Sequence, residues 1–173
     1  ASFSNPIDVA VDERAGKLFV SCDDGVYQMD TDGSDMTLVI DAQATGLAAF
    51  KGLDVDAMNQ NLWFVADDGL YAASTLDAAN YWAAYEGLDG LYGVAVDGLQ
   101  DLVFWTASDG VRRGSTTCTP ADDDCEVHTI AVVDDAHFVA VEGYAAPSPA
   151  PTAVPTAGPS LAPSSQPSRA PSA

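Results

Sequence analysis

Basic residues are what this chain lacks most. Six lysines and arginines face 26 aspartates and glutamates, and every acid lies before Tyr144. Residues 1–144 therefore hold five basic groups against 26 acidic ones, a formal −21. A field of that sign repels phosphate backbones and anionic bilayer surfaces, which sets aside nucleic acid and membranes as partners. Cations, basic proteins and water remain, and a solvated surface that keeps a β-protein soluble is the simplest use of the charge. Long apolar runs are absent too: none reaches the roughly 18 residues that suggest a helical span, so no membrane insertion is expected. The opening Ala1-Ser2-Phe3-Ser4 carries no basic-then-apolar leader and reads as a processed start, compatible with a secreted or extracellular protein.

Catalytic equipment is equally thin. The two histidines, His128 and His137, fall in an outer strand and in a connector, where a lone histidine is more often structural than catalytic. No Gly-rich phosphate loop and no zinc-ligand spacing occur. The expectation is a non-enzymatic protein without a cofactor. Calcium is the best candidate among metals, with oxygens from Asp122-Asp123-Asp124, Asp23-Asp24 and Asp67-Asp68, but the spacing is not that of an EF-hand.

What the chain does have is a repeat. Asp12 to Gly25 returns without a gap as Asp56 to Gly69 and as Asp97 to Gly110, at steps of 44 and 41 residues. An alternating apolar run precedes each copy: Ile7 to Val11, Gly52 to Val55, Gly93 to Val96. A second run lies inside each copy, at Leu18-Phe19-Val20, Leu62-Trp63-Phe64 and Val103-Phe104-Trp105. A third follows the closing Asp-Gly, at Val26-Tyr27, Leu70-Tyr71 and Val111-Arg112. Asp-Gly is a hairpin dipeptide, so Asp24-Gly25, Asp68-Gly69 and Asp109-Gly110 are expected to form the tight turns. With Met36–Ile40 as the outer run, each repeat reads as a four-stranded antiparallel meander.

In the first strand Val9 and Val11 point one way and Asp8 and Ala10 the other; small residues such as Ala10 and Ala95 suit packing on both faces. Thr75–Leu88 has helix-like aromatic spacing, yet the register of the repeat places an outer strand there. In the third repeat Arg112-Arg113 and the cysteine loop replace the tidy third strand, and Val127–Val133 resumes as an outer strand. A fourth copy starts at Phe138-Val139-Ala140-Val141-Glu142-Gly143 and supplies a lone inner strand, 138–142. The repeats run near 6–44, 45–88 and 89–135, with a partial one at 137–143, within a domain of residues 1–144.

Three cysteines are present. Cys118 and Cys125 bracket a turn-rich Thr-Pro-Ala-Asp-Asp-Asp and are expected to close a small disulfide in an oxidising compartment. Cys22 stands where the other repeats carry Ala66 and Ala107, so it reads as a small buried residue rather than a reactive thiol, with an intermolecular bridge left open.

Residues 145–173 change character. Prolines recur every four residues from Pro151 to Pro171, and Ser148, Thr152, Thr156, Ser160, Ser164, Ser168 and Ser172 each follow one. Such a tail has too few large apolar groups to fold alone and tends to extended polyproline II; those Ser and Thr residues are the expected O-glycan acceptors.

Pro6 to Asp12, Leu18-Phe19-Val20-Ser21, Val26-Tyr27, Thr31-Asp32-Gly33-Ser34 and Leu38-Val39-Ile40 together resemble the YWTD β-propeller repeat of the low-density-lipoprotein-receptor class B type. Phe104-Trp105-Thr106 comes nearest the signature tetrad, whose closing Asp is here Cys22, Ala66 or Ala107. NHL propellers are a more distant relative. The tail resembles Pro-Ser/Thr spacers of extracellular stramenopile proteins, and the combination resembles, more loosely, proteins of tubular flagellar hairs (mastigonemes). The resemblance implies an all-β fold of four-stranded propeller blades, three plus one extra strand. Closed propellers hold about four or more blades, so an arc of three leaves open faces, and such faces mark interfaces. The expected role is a self-assembling structural subunit of a filament or surface appendage. The alternatives are part of a receptor-like propeller that binds a protein ligand and, third, a lactonase-like hydrolase.

Overall fold

The computed structural model divides the chain into two units, Ala1–Glu142 and Gly143–Ala173. It describes residues 3–141 apart from 68, 120, 123 and 124. The expected polyproline II tail and its Ser148, Thr152, Thr156, Ser160, Ser164, Ser168 and Ser172 lie outside the described residues.

The regular structure of the described residues is almost entirely strand, in three four-stranded antiparallel sheets. The first blade is β1 (Pro6–Asp12), β2 (Lys17–Cys22), β3 (Gly25–Asp30) and β4 (Thr37–Asp41), in that spatial order. A single helical turn, α1 (Ala42–Thr45), follows; Asp41 caps it by accepting from Gln43 N at 2.8 Å, and Gly46 ends it in the left-handed conformation. The second blade is β5 (Leu53–Asp56), β6 (Asn61–Ala66), β7 (Gly69–Ser74) and β8 (Tyr81–Tyr85). The third is β9 (Val94–Asp97), β10 (Leu102–Ala107), β11 (Gly110–Ser115) and β12 (His128–Ala131). The stretch with helix-like aromatic spacing is β8, an outer strand: pairing with β7 outweighs the local propensity of its alanines.

The Asp that leads each repeat has a local task. Asp12 Oδ1 accepts from Ala15 N at 2.9 Å, and Asp56 Oδ1 from Asn59 N at 3.0 Å. Asp97 Oδ1 accepts from Leu99 N at 3.1 Å, so each carboxylate closes the turn from the inner strand to the next. The residue four places on is left-handed in every copy: Gly16 at φ 67°, Gln60 at 58° and Asp101 at 54°.

Three expectations are corrected. First, the tight turns are not Asp-Gly. Cys22 pairs with Gly25, Ala66 with Gly69 and Ala107 with Gly110, so the loops are the two residues before each glycine. Gly25 (φ 137°) and Gly110 (φ 150°) are already strand residues. A Cβ there would overlap the carbonyl oxygens of Ile40 and Ala131, so the outer strand's close approach demands glycine in the first and third blades. Second, Arg112-Arg113 does not interrupt the third strand of the last blade. β11 runs through both, paired with β10 along its length, and Arg112 is held by Asp109 at 2.6 Å. Third, among the described residues no strand pairs with 138–141, although they sit where a fourth inner strand belongs.

Two cores hold the blades together. One packs Ala10, Phe19, Val26 and Ile40 of the first blade against Leu53, Leu62, Phe64 and Tyr71 of the second. The other packs Trp63, Val65, Leu70 and Ala72 against Val94, Val103, Trp105 and Ala107 of the third. The residues that face backward in the second and third blades are in phase, and so are those that face forward in the first and second.

Candidate assembly surface

Three seams join successive inner strands. At the first, Asp8 Oδ2 accepts from Leu53 N at 3.0 Å, and Ser21 Oγ accepts from Asp8 N at 3.1 Å while donating to Lys51 O at 2.6 Å. At the second, Asp54 Oδ2 accepts from Val96 N at 2.7 Å, and Gly52 N donates to Tyr92 O at 2.8 Å. At the third, Thr106 Oγ1 accepts from Gly93 N at 2.8 Å and donates to His137 O at 3.1 Å. Ser21 and Thr106 are the same repeat position, so residues 137–141 are docked on β9 as each inner strand is docked on the one before. Glycine makes the approach possible: a Cβ on Gly52 would lie 2.6 Å from Tyr92 O, and one on Gly93 would lie 2.8 Å from His137 O. Side-chain burial agrees, because Val139 and Val141 are half-buried and Phe138 and Ala140 exposed.

A column of rings and one cation runs along the same rim. Lys51 Nζ donates to Leu91 O at 2.5 Å and stands 4.6 Å over the Tyr92 ring, which stacks on His137 at 4.3 Å. His137 Nε2 lies 2.9 Å from Asp135 Oδ1. His128 pairs with Glu126 on the outer edge of the third blade. The structure therefore gives each histidine a carboxylate neighbour and does not bring the two together with a nucleophile.

Between β1 and residues 138–141 lies an open cleft of about 360 Å³, lined also by Leu53, Asp54 and Gly93–Ala95. Asp8 and Asp54 both face it. Burial holds the Asp54 carboxyl above the ordinary carboxylate range, with Asp8 and Asp56 adding repulsion and the Val96 and Val55 N–H groups working the other way. A larger cleft, about 660 Å³, sits on the outer edge of the third blade among Arg113, Cys118, Asp122, Cys125, Glu126 and His128.

The structure joins Cys118 to Cys125 as a disulfide with a Cα separation of 5.8 Å. Cys118 is buried in the second core, so the bridge pins the loop onto the blade. Cys22 is a buried thiol outside any disulfide, packed with Val20 and Met29; burial, then the charges of Asp24 and Asp23, push its pKa up. The acids singled out for calcium are separate. Asp23 accepts from Asn5, Asp24 from the Tyr27 hydroxyl at 2.7 Å, Asp67 from Ala48 N, and Asp122 from Thr119. The bond to Asp24, with burial, pushes the Tyr27 hydroxyl up to about 12. Asp68, Asp123 and Asp124 lie outside the described residues. Among the described residues no group of three or more His, Cys, Asp or Glu is placed to hold a metal.

Sequence reasoning missed the cross-seam roles of Asp8, Asp54, Ser21 and Thr106. The signal for the last two was visible, a hydroxyl at one repeat position where the second copy has Val65. The carboxylates gave none, because they stand at different repeat positions.

The architecture is that of β-propeller blades set in an arc. A chain of the nidogen/laminin complex superposes with a TM-score of 0.68 at 18% identity, covering 82% of this chain and 54% of that one. A structural genomics protein of unknown function from Bacteroides thetaiotaomicron gives 0.57 at 13% identity, covering 81% and 36%. A luciferin-regenerating enzyme gives 0.50 at 13% identity, covering 79% and 49%. This chain thus spans about half the length of the first of these or less of the others. No family model matches the sequence, and no curated protein matches it either.

Proposed function

We propose that this chain is a non-enzymatic, extracellular propeller module of the YWTD type whose work is assembly, as a subunit of a filament or cell-surface appendage with a glycosylated proline-rich tail. The observation that carries the reading is the pair of open ends: the back side of β1 and the forward side of residues 138–141 are apolar and exposed, whereas the apolar residues on the other inner-strand sides are buried or half-buried. Exposed apolar ends on a propeller arc favour association over a solitary fold. Electron microscopy of the purified chain, beside its intact non-reduced mass, tests this. Ordered assemblies and a mass above 17.9 kDa in sugar increments are expected. Single particles of bare polypeptide mass would overturn it.

The likeness to a chain of the nidogen/laminin complex favours a second reading, a propeller module that holds a protein ligand. A one-to-one complex with a different protein, formed by a chain that stays monomeric alone, would select it.

A further inference from the structure

Resting on that assembly reading, we propose that copies dock head to tail along the inner-strand row. The Val9 and Val11 side of β1 in one copy covers the Phe138 and Ala140 side of residues 138–141 in the next.

The contact already exists three times within the chain. At each seam the back side of one inner strand meets the forward side of the one before it: β5 on β1, β9 on β5, and residues 138–141 on β9. The back-facing residues are in phase throughout, with Val9 and Val11 corresponding to Leu53 and Val55, to Val94 and Val96, and to Val139 and Val141. Only their cover differs. Leu53 is 3% exposed and Val94 5%, whereas Val9 is 57% exposed and Val11 49%. Ile7, at the register shift between Pro6 and Asp8, is 44% exposed as well. The forward end mirrors this, with Phe138 at 84%. The two ends of the row are therefore the two halves of a contact the chain builds for itself, and each copy offers both.

The fourth seam differs in chemistry from the inner ones. Phe138 stands where Gly52 and Gly93 stand, so the next strand cannot approach backbone to backbone there. A ring takes the place of that approach, and neither Phe138 nor Ala140 supplies a carboxylate of the Asp8 or Asp54 kind. The junction is accordingly apolar, and an uncompensated charge buried in it is unfavourable. The ends are unlike, so the contact is heterologous and the back end of one copy does not pair with the back end of another.

The test uses the full chain and two exposed positions, Val9→Asp and Phe138→Asp, with sedimentation velocity as the readout and thermal melting as a check on folding. Wild type is expected to assemble, and each variant alone to be monomeric, weakened by about tenfold or more. An equimolar mixture should give a one-to-one dimer and nothing larger, since each variant keeps the half the other lacks. If wild type assembles but either variant assembles as well as it does, this contact is wrong and the assembly reading stands. A mixture that stays monomeric also overturns head-to-tail docking. Wild type that is monomeric at every concentration overturns both.

Discussion

The back side of β5 and the back side of β1 carry the same kind of residue at the same repeat position and live in different surroundings. Leu53 is sealed against the first blade, while Val9 faces solvent. Further out along the sheets the difference fades. Val20, Cys22 and Met29 are buried in a small cluster covered by Leu18, Tyr27 and Met36, with Phe3 edge-on to Tyr27 at 5.5 Å. The end blade thus roofs its outer half with its own side chains and leaves only the inner strand open. Exposure at the end of this repeat is local to the axis.

The comparison breaks most sharply at the large aromatic positions. Trp105→Ala, in the seam between the second and third blades, should cost about 3–5 kcal/mol. Val20→Ala, its in-phase counterpart on the open end, should cost about 1–2.5 kcal/mol, because fewer atoms are lost from a thinner cover. Chemical denaturation measures both, and equal losses would show that the end blade is as deeply packed as the seam.

Next is the outer edge of the third blade. Cys118 and Cys125 are seven residues apart, and removing a bridge over so short a loop should cost about 2–3 kcal/mol. Melting of the Cys118→Ser/Cys125→Ser variant with and without reductant checks this, and reductant should lower the wild type alone.

Ser21→Ala and Thr106→Val sharpen the contrast between a seam with a full blade beyond it and one with a lone strand. Ser21→Ala leaves Asp8 N and Lys51 O without their shared partner and should cost about 1–3 kcal/mol of global stability. Thr106→Val strands the buried Gly93 N as well as His137 O, so it should cost about as much and should in addition release residues 137–141, seen as faster amide exchange there.

The smallest effect concerns Asp54. Its raised pKa means that folding prefers the protonated carboxyl, so its contribution is fully present below the unfolded-chain value and is lost as pH rises through the folded one. Asp54→Asn cannot ionise and should gain on wild type in melts taken from about pH 4 upward. A difference that does not change with pH would show that the Val96 and Val55 bonds already offset the burial.

The strand order was legible because the apolar runs recur in phase, and repetition disciplined ambiguous stretches such as Tyr81–Tyr85. What local pattern could not show was anything decided by a neighbour. Gly25 and Gly110 look like turn residues until β4 and β12 are placed beside them. Arg112 and Arg113 look like a break until the pairing with β10 is seen. The 138–141 run looks like a strand because sequence carries the inner strand's signature and not its missing partners. The open ends of the row followed from counting repeats, whereas the hydroxyl and carboxylate links across the seams depend on how adjacent blades meet in space.

The seams also set how the molecule comes apart. Each blade is braced only by the blades beside it, so stability accumulates neighbour by neighbour, as in a row of coupled spins. The second blade has two braces and the outer two have one seam each to a complete blade. Fraying should start at the termini and reach the middle last, leaving β6 and β7 as the slowest amides to exchange. A newly docked copy would convert an end blade into a middle one, so association and local rigidity would rise together.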